Sequence, residues 1–173
     1  MDERQRAERN VHVMMLSRGY TCVDAHTYEL RGEIAHVARV ERLNVNALRD
    51  CIVCAVAKGA TLVVVLVASM PTAPMRLGIA ETERNNRLVV EYFTFAEMQI
   101  NIMEHELQPS FSVLTDQETR ALLAEYRIKL TQLPRLLSTD PCARYLGVRR
   151  GTVVRITRRP PSANELRTFR VVV

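Results

Sequence analysis

Tryptophan is absent from this 173-residue chain, and aromatic residues make up only 5% of it. Any interior must therefore be aliphatic, built on Val, Leu, Ile and Met. Lysine is almost absent too: of 24 basic side chains only Lys58 and Lys129 are not Arg. A genome rich in codons for Arg, Ala and Val explains that bias more simply than selection for phosphate-binding forks. Long apolar runs are also missing. The longest, residues 60–70, is too short to span a bilayer and suits a buried strand. The opening MDERQRAERN lacks the apolar core of a secretory signal, so the expectation is an intracellular protein with no membrane partner.

Cysteine is sparse and scattered. Cys22, Cys51, Cys54 and Cys142 suit a reducing compartment. The one pair, Cys51-x-x-Cys54, falls mid-helix with no second pair at ligand spacing, so neither a metal site nor a redox motif is expected. Catalytic patterns are missing as well: no Gly-rich phosphate loop, no G-x-S-x-G and no H-E-x-x-H. His105-Glu106 opens like the last of these, but Pro109 stands where the second His is needed. Neither Lys lies in a strand where a Glu-x-Lys nuclease arrangement would place it. The expectation is a chain with no active site, cofactor, metal or small-molecule ligand of its own.

What is present is ordinary for a folded protein: 47% hydrophobic and 25% charged residues. The charge is uneven. Residues 105–173 hold twelve basic against six acidic side chains, net +6, while residues 1–104 hold twelve against thirteen, net −1. A basic module calls for an acidic partner, either nucleic acid or an acidic protein surface.

Along the chain, residues 4–18 read as an amphipathic helix with Ala7, Val11, Met14 and Met15 on one face and Gly19 as its stop. Residues 21–32 read as a polar connector. Residues 34–40 read as a strand, in which the lone His36 is structural or at the surface. Residues 46–58 read as a helix burying Leu48, Ile52 and either Ala55 or Val56. Residues 61–68 read as the most buried strand, implying a βαβ arrangement. Residues 69–76 form a proline-punctuated loop leaving that strand, the position where loops commonly carry function. A short helix over 77–84 follows, then strands over 87–93 and 98–103. In the second half Thr115 and Glu118 make a capping box for a helix to about Arg127, with Leu122, Leu123 and Tyr126 inward. A strand over 168–173 closes the chain.

The most densely specified stretch is residues 132–156, read as strand, turn, short helix, turn and strand. Asp140 is an N-cap, Pro141 takes the first helical position, and Gly147 suits a left-handed C-terminal cap. QLPR at 132–135, DPCARYLG at 140–147 and RRGTVVRI at 149–156, with HELQP at 105–109, resemble the assembly domain of the fifth subunit shared by eukaryotic nuclear RNA polymerases. The archaeal member of that family is its single-domain form. The resemblance implies an α+β protein in two domains: residues 1–104 a small α/β jaw, residues 105–173 a compact β-rich assembly module with short helices. It further implies a non-catalytic subunit of DNA-directed RNA polymerase, whose module docks on the largest subunit and whose jaw faces downstream duplex DNA.

By match to the family motifs, docking and module-shaping roles fall on His105, Glu106, Leu107, Pro109, Leu133, Pro134, Arg135, Asp140, Pro141, Arg144, Tyr145, Gly147, Arg150, Gly151, Val153, Val154 and Arg170. The DNA side falls on the loop containing Pro71, Thr72, Ala73, Pro74 and Arg76, through backbone and sugar contacts that position a duplex without reading it. The chain departs from the family at its last hairpin, where Ser162-Ala-Asn-Glu-Leu-Arg-Thr168 has no Gly. A jaw shorter than in cellular members, with the Arg-heavy composition, points to a divergent source such as a large DNA virus. The location expected is that of the polymerase: the nucleus for a cellular source, and the host nucleus, a cytoplasmic factory or the virion for a viral one. Two other readings stand beside this one. A free-standing basic DNA-binding transcription regulator would explain the net +6, and a nuclease-like enzyme would show metal-dependent cleavage.

Overall fold

Strand β4, Ala60–Val67, is the axis of the amino-terminal half. The computed structural model describes residues 2–40, 44–158 and 164–173. They form two compact units, Met1–Ile100 and Asn101–Val173, in an α+β protein.

In the first unit, helix α1 (Glu3–Ser17) precedes strands β1 (Thr21–Asp24), β2 (Thr27–Leu30) and β3 (Glu33–Val40). Helix α2 (Val45–Ala57) leads to β4, and helix α3 (Ala73–Asn86) to β5 (Val89–Thr94). The sheet order is β1-β2-β3-β4-β5, antiparallel through β3 and parallel from β3 to β5. Two βαβ crossovers explain that change of direction. Alternation along β4 sends Val63, Val65 and Val67 into one core with Leu48, Ile52 and Ala55 of α2 and Ile79 of α3. Val64 and Leu66 face the other way and are as fully buried. Helix α1 covers that second face: Arg18 reaches Glu91, which lies opposite Val64, at 2.7 Å, and Glu8 meets Arg39, opposite Leu66, at 2.8 Å. Each fully buried Val contributes about 1.5–3 kcal/mol, which makes β4 the strand hardest to replace.

Several expectations need correction. Residues 21–32 are a hairpin, not a connector, with Thr27 and Tyr28 buried. Its turn is held by the Asp24 carboxylate, which accepts the His26 backbone N–H at 2.8 Å. The loop after β4 is shorter than expected, because α3 begins at Ala73 with Thr72 as its N-cap. Pro74 sits in the first turn, where a missing N–H costs nothing, so it opens a helix where it reads as a break. Residues 98–103 are not a strand but two 3-10 turns, Glu97–Gln99 and Ile102–Glu104. There Glu97 accepts from the backbone and hydroxyl of Thr94 at 2.8 and 3.1 Å, and Asn101 accepts the Met103 N–H at 3.1 Å. These local bonds take backbone groups a ladder would need. In α2 it is Ala55 that is buried, while Val56 is exposed.

The second unit has strands β6 (Ser110–Val113), β7 (Arg135–Leu136), β8 (Val153–Arg158) and β9 (Leu166–Val172), in the order β6-β8-β9-β7. Helix α4 (Asp116–Tyr126) carries the expected capping box, and helix α5 (Pro141–Leu146) lies between β7 and β8 in sequence. Strand β6 has no counterpart in the sequence reading. Neighbouring residues point to opposite faces of this sheet. Val153 and Val171 pack with Leu122 of α4, whereas Val154 and Val172 pack with Ala143 of α5. Tyr126 is not inward: it is 58% exposed and leans on Phe169, ring centroids 6.3 Å apart. The family departure at the last hairpin, residues 162–168, begins with residues 162 and 163, which lie outside the described residues; Leu166 starts β9 and is exposed.

Candidate docking face and nucleic-acid-side loop

Helix α5 is six residues long, too short to be stable alone, so its ends carry the specification. Asp140 Oδ1 accepts the N–H groups of Cys142 and Ala143 at 2.8 and 3.4 Å. Gly147 takes φ +65°, and its N–H closes on Arg144 O at 3.0 Å. The chain then turns at Arg149-Arg150-Gly151, with the Thr152 N–H on Arg149 O at 3.1 Å and Gly151 at φ +89°. That conformation suits Gly in the third place of a tight turn. Two further bonds tie the corner to β9, Gly151 N–H to Val172 O and Val172 N–H to Thr152 O, both 2.9 Å.

Segments far apart in sequence meet around α5. His105–Pro109 folds as a turn, Gln108 N–H on His105 O at 2.9 Å, and the Gln108 side-chain amide lies 2.9 Å from Cys142 Sγ. Burial, then the neighbouring Asp140, pushes the Cys142 thiol up, so it behaves as a packed neutral group. Arg170 donates to Arg135 O at 3.2 Å, joining β9 to β7.

Burial divides the residues matched to family motifs. Leu133, Tyr145, Val153 and Val154 are interior and shape the module. Asp140, Gly147, Pro109, Arg144 and Arg170 are half-buried; the first two act as caps. His105, Glu106, Leu107, Pro134, Arg135, Pro141, Arg150 and Gly151 are open to solvent. Leu137, 63% exposed beside Asp140, joins this surface unannounced by the sequence, where an apolar residue next to Leu136 reads as core. Arg149 is likewise exposed, although the family motifs assign it no docking role.

The loop that the resemblance assigns to the DNA side also divides. Pro71 is buried and acts as a spacer. Thr72 caps α3 from an extended backbone, and Ala73, Pro74 and Arg76 are exposed on its first turn, where Arg76 N–H meets Thr72 O at 3.0 Å. This loop belongs to the first unit and α5 to the second.

Among the described residues no three His, Cys, Asp or Glu side chains gather as a metal would need, and no helix is long and apolar enough to cross a membrane. Cys51 and Cys54 lie inside α2, where burial, ahead of Asp50 and Cys54, pushes the Cys51 thiol away from the thiolate that redox or metal chemistry uses.

Comparison with known proteins shows what this chain is similar to. The family described as RNA polymerase Rpb5, C-terminal domain, matches residues 100–172. The chain is 43% identical over 110 residues to DNA-directed RNA polymerase subunit 5-like protein 1 of Arabidopsis thaliana, covering 64% of this chain and 51% of that protein. It is 41% identical over 112 residues to the RPABC1 subunit of DNA-directed RNA polymerases I, II and III of Caenorhabditis elegans, covering 65% and 51%. For the corresponding Dictyostelium discoideum subunit the identity is 36% over 110 residues, covering 64% and 56%. The chain thus spans about half the length of the curated relatives it matches. Matched region and second compact unit coincide within a residue at each end, so the likeness to the RNA polymerase Rpb5 C-terminal domain falls on that unit.

Proposed function

We propose that this chain is a non-catalytic subunit of a multisubunit DNA-directed RNA polymerase, working inside the cell where that polymerase works. Residues 105–173 act as the assembly domain and dock on the largest subunit; residues 1–104 act as the jaw on the downstream DNA side. The single observation that carries this reading is the family match over residues 100–172, on a unit whose caps, turn and short helix are preformed. A preformed surface loses little entropy on binding, which suits a permanent fitting within a large assembly.

Purification of a tagged copy from its native source tests the proposal. The expected result is co-purification with two very large subunits that survives high salt, because a packed interface is weakly screened. A chain that comes out alone, and releases DNA steeply as salt rises, would instead be the free-standing basic DNA binder that net +6 on residues 105–173 allows.

A further inference from the structure

We propose that the Arg149-Arg150-Gly151 corner is the electrostatic part of a protein-binding surface whose partner is a protein presenting carboxylates beside an apolar pocket. This rests on the docking reading above and adds the chemistry of the surface that is met.

Arg149 and Arg150 are exposed and form no ion pair among the described residues. The carboxylates of their own unit are engaged or elsewhere. Asp140 is bound to the first amides of α5, and Glu165 to Arg167 at 2.7 Å. Asp116, Glu118 and Glu125 lie on α4, which packs on the opposite face of the sheet. Glu104 and Glu106 lie on the segment that runs to Gln108, whose contact with Cys142 is on the first turn of α5, away from the corner. The two guanidinium groups stand on a corner fixed by three backbone hydrogen bonds, so engaging them orders little extra chain. Their planar forks match carboxylates in a bidentate way.

At the other end of α5 stand two unpartnered leucines. Leu107 is 86% and Leu137 63% exposed. Leu107 precedes the Gln108 that touches Cys142, and Leu137 O accepts the N–H of Asp140, the α5 N-cap, at 3.0 Å. A six-residue helix, about 9 Å long, separates the leucines from the arginines. A nucleic acid would be met by cations strung along its phosphates and gains nothing from bare leucines. Arg beside exposed aliphatic side chains is the pattern of a protein interface, in which the Arg forks are the anchors.

The test uses full-length tagged chains in their native source: wild type, R149Q/R150Q, R149E/R150E and L107S. Polymerase retained on each is measured at low and high salt. In parallel, fluorescence anisotropy of a labelled duplex measures DNA binding, and thermal melting checks folding. The expected result is retention lowered about tenfold by R149Q/R150Q and further by R149E/R150E, with melting and duplex binding unchanged. L107S should lower retention without changing its salt dependence. Retention of R149E/R150E at the wild-type level overturns the inference, and so does a loss of duplex binding that parallels the loss of retention, because the partner is then nucleic acid. A wild-type chain that retains no polymerase removes the docking reading itself, an outcome distinct from any variant effect.

Discussion

His36 shows what a single side chain can do in the amino-terminal unit. It is only 6% exposed, its Nδ1 makes no hydrogen bond, and its ring meets that of His26 edge-on at 6.4 Å. Burial first, then the charges of Lys58 and His26, hold its pKa below the usual imidazole value, against a smaller opposing pull from Asp24. The folded state thus resists a proton that the unfolded chain accepts. Its contribution is complete above the unfolded value of about 6.5 and is lost as pH falls towards the lower folded value. Asp24 is held low chiefly by the His26 backbone N–H, so its own contribution goes only at the more acid carboxylate range. The melting temperature should therefore fall as pH drops through and below about 6.5, and H36Q should flatten that drop while keeping the further fall at more acid pH. A wild-type curve flat over this window would refute the argument. The sequence marked His36 only as a lone His; its burial comes from α2 and the hairpin, which fold over it from elsewhere in the chain.

Turns and helices carry a second kind of information, in their glycines. Gly151 has nothing within 4 Å of where a Cβ would stand, yet its φ is +89°. Ala there costs backbone strain alone, about 1–2 kcal/mol. Gly78, inside α3, also faces open space but keeps an ordinary helical backbone. Ala there should stabilise by about 0.5–1 kcal/mol. Urea unfolding of G151A and G78A should shift midpoints in opposite directions, and equal shifts would show that side-chain space, not backbone, decides both. Elements written in local chemistry were legible beforehand. Asp140, Pro141 and Gly147 bound α5, Thr115 and Glu118 open α4, and Ala7, Val11, Met14 and Met15 give α1 its buried stripe. Elements that depend on a distant partner were not. Strand β6 exists because residues 110–113 pair with residues 154–157, and the β1–β2 hairpin because β3 lies beside it.

For the whole molecule, the two units predict separable defects. Pro71 is buried at the end of β4 and Pro74 is exposed on the first turn of α3, and both lie in the first unit. If residues 1–104 act as the proposed jaw, replacing both by Ala should weaken the hold on downstream duplex in an assembled polymerase while leaving co-purification intact. Footprinting of elongation complexes, compared with subunit stoichiometry on a gel, measures the two effects separately. Loss of assembly in this variant would count against the division of labour between jaw and assembly domain.

The amino-acid sequence alone determined the α+β class, the caps and turn around α5, the aliphatic core and the family resemblance of the carboxy-terminal unit. These rest on interactions within a few residues of each other, or on residue types in a set order. Only the tertiary structure decided which motif residues are buried and which face solvent, that HELQP meets α5 through Gln108 and Cys142, and that Leu137 and Arg149 stand exposed beside it. Burial depends on what packs from far along the chain, and no local pattern encodes it.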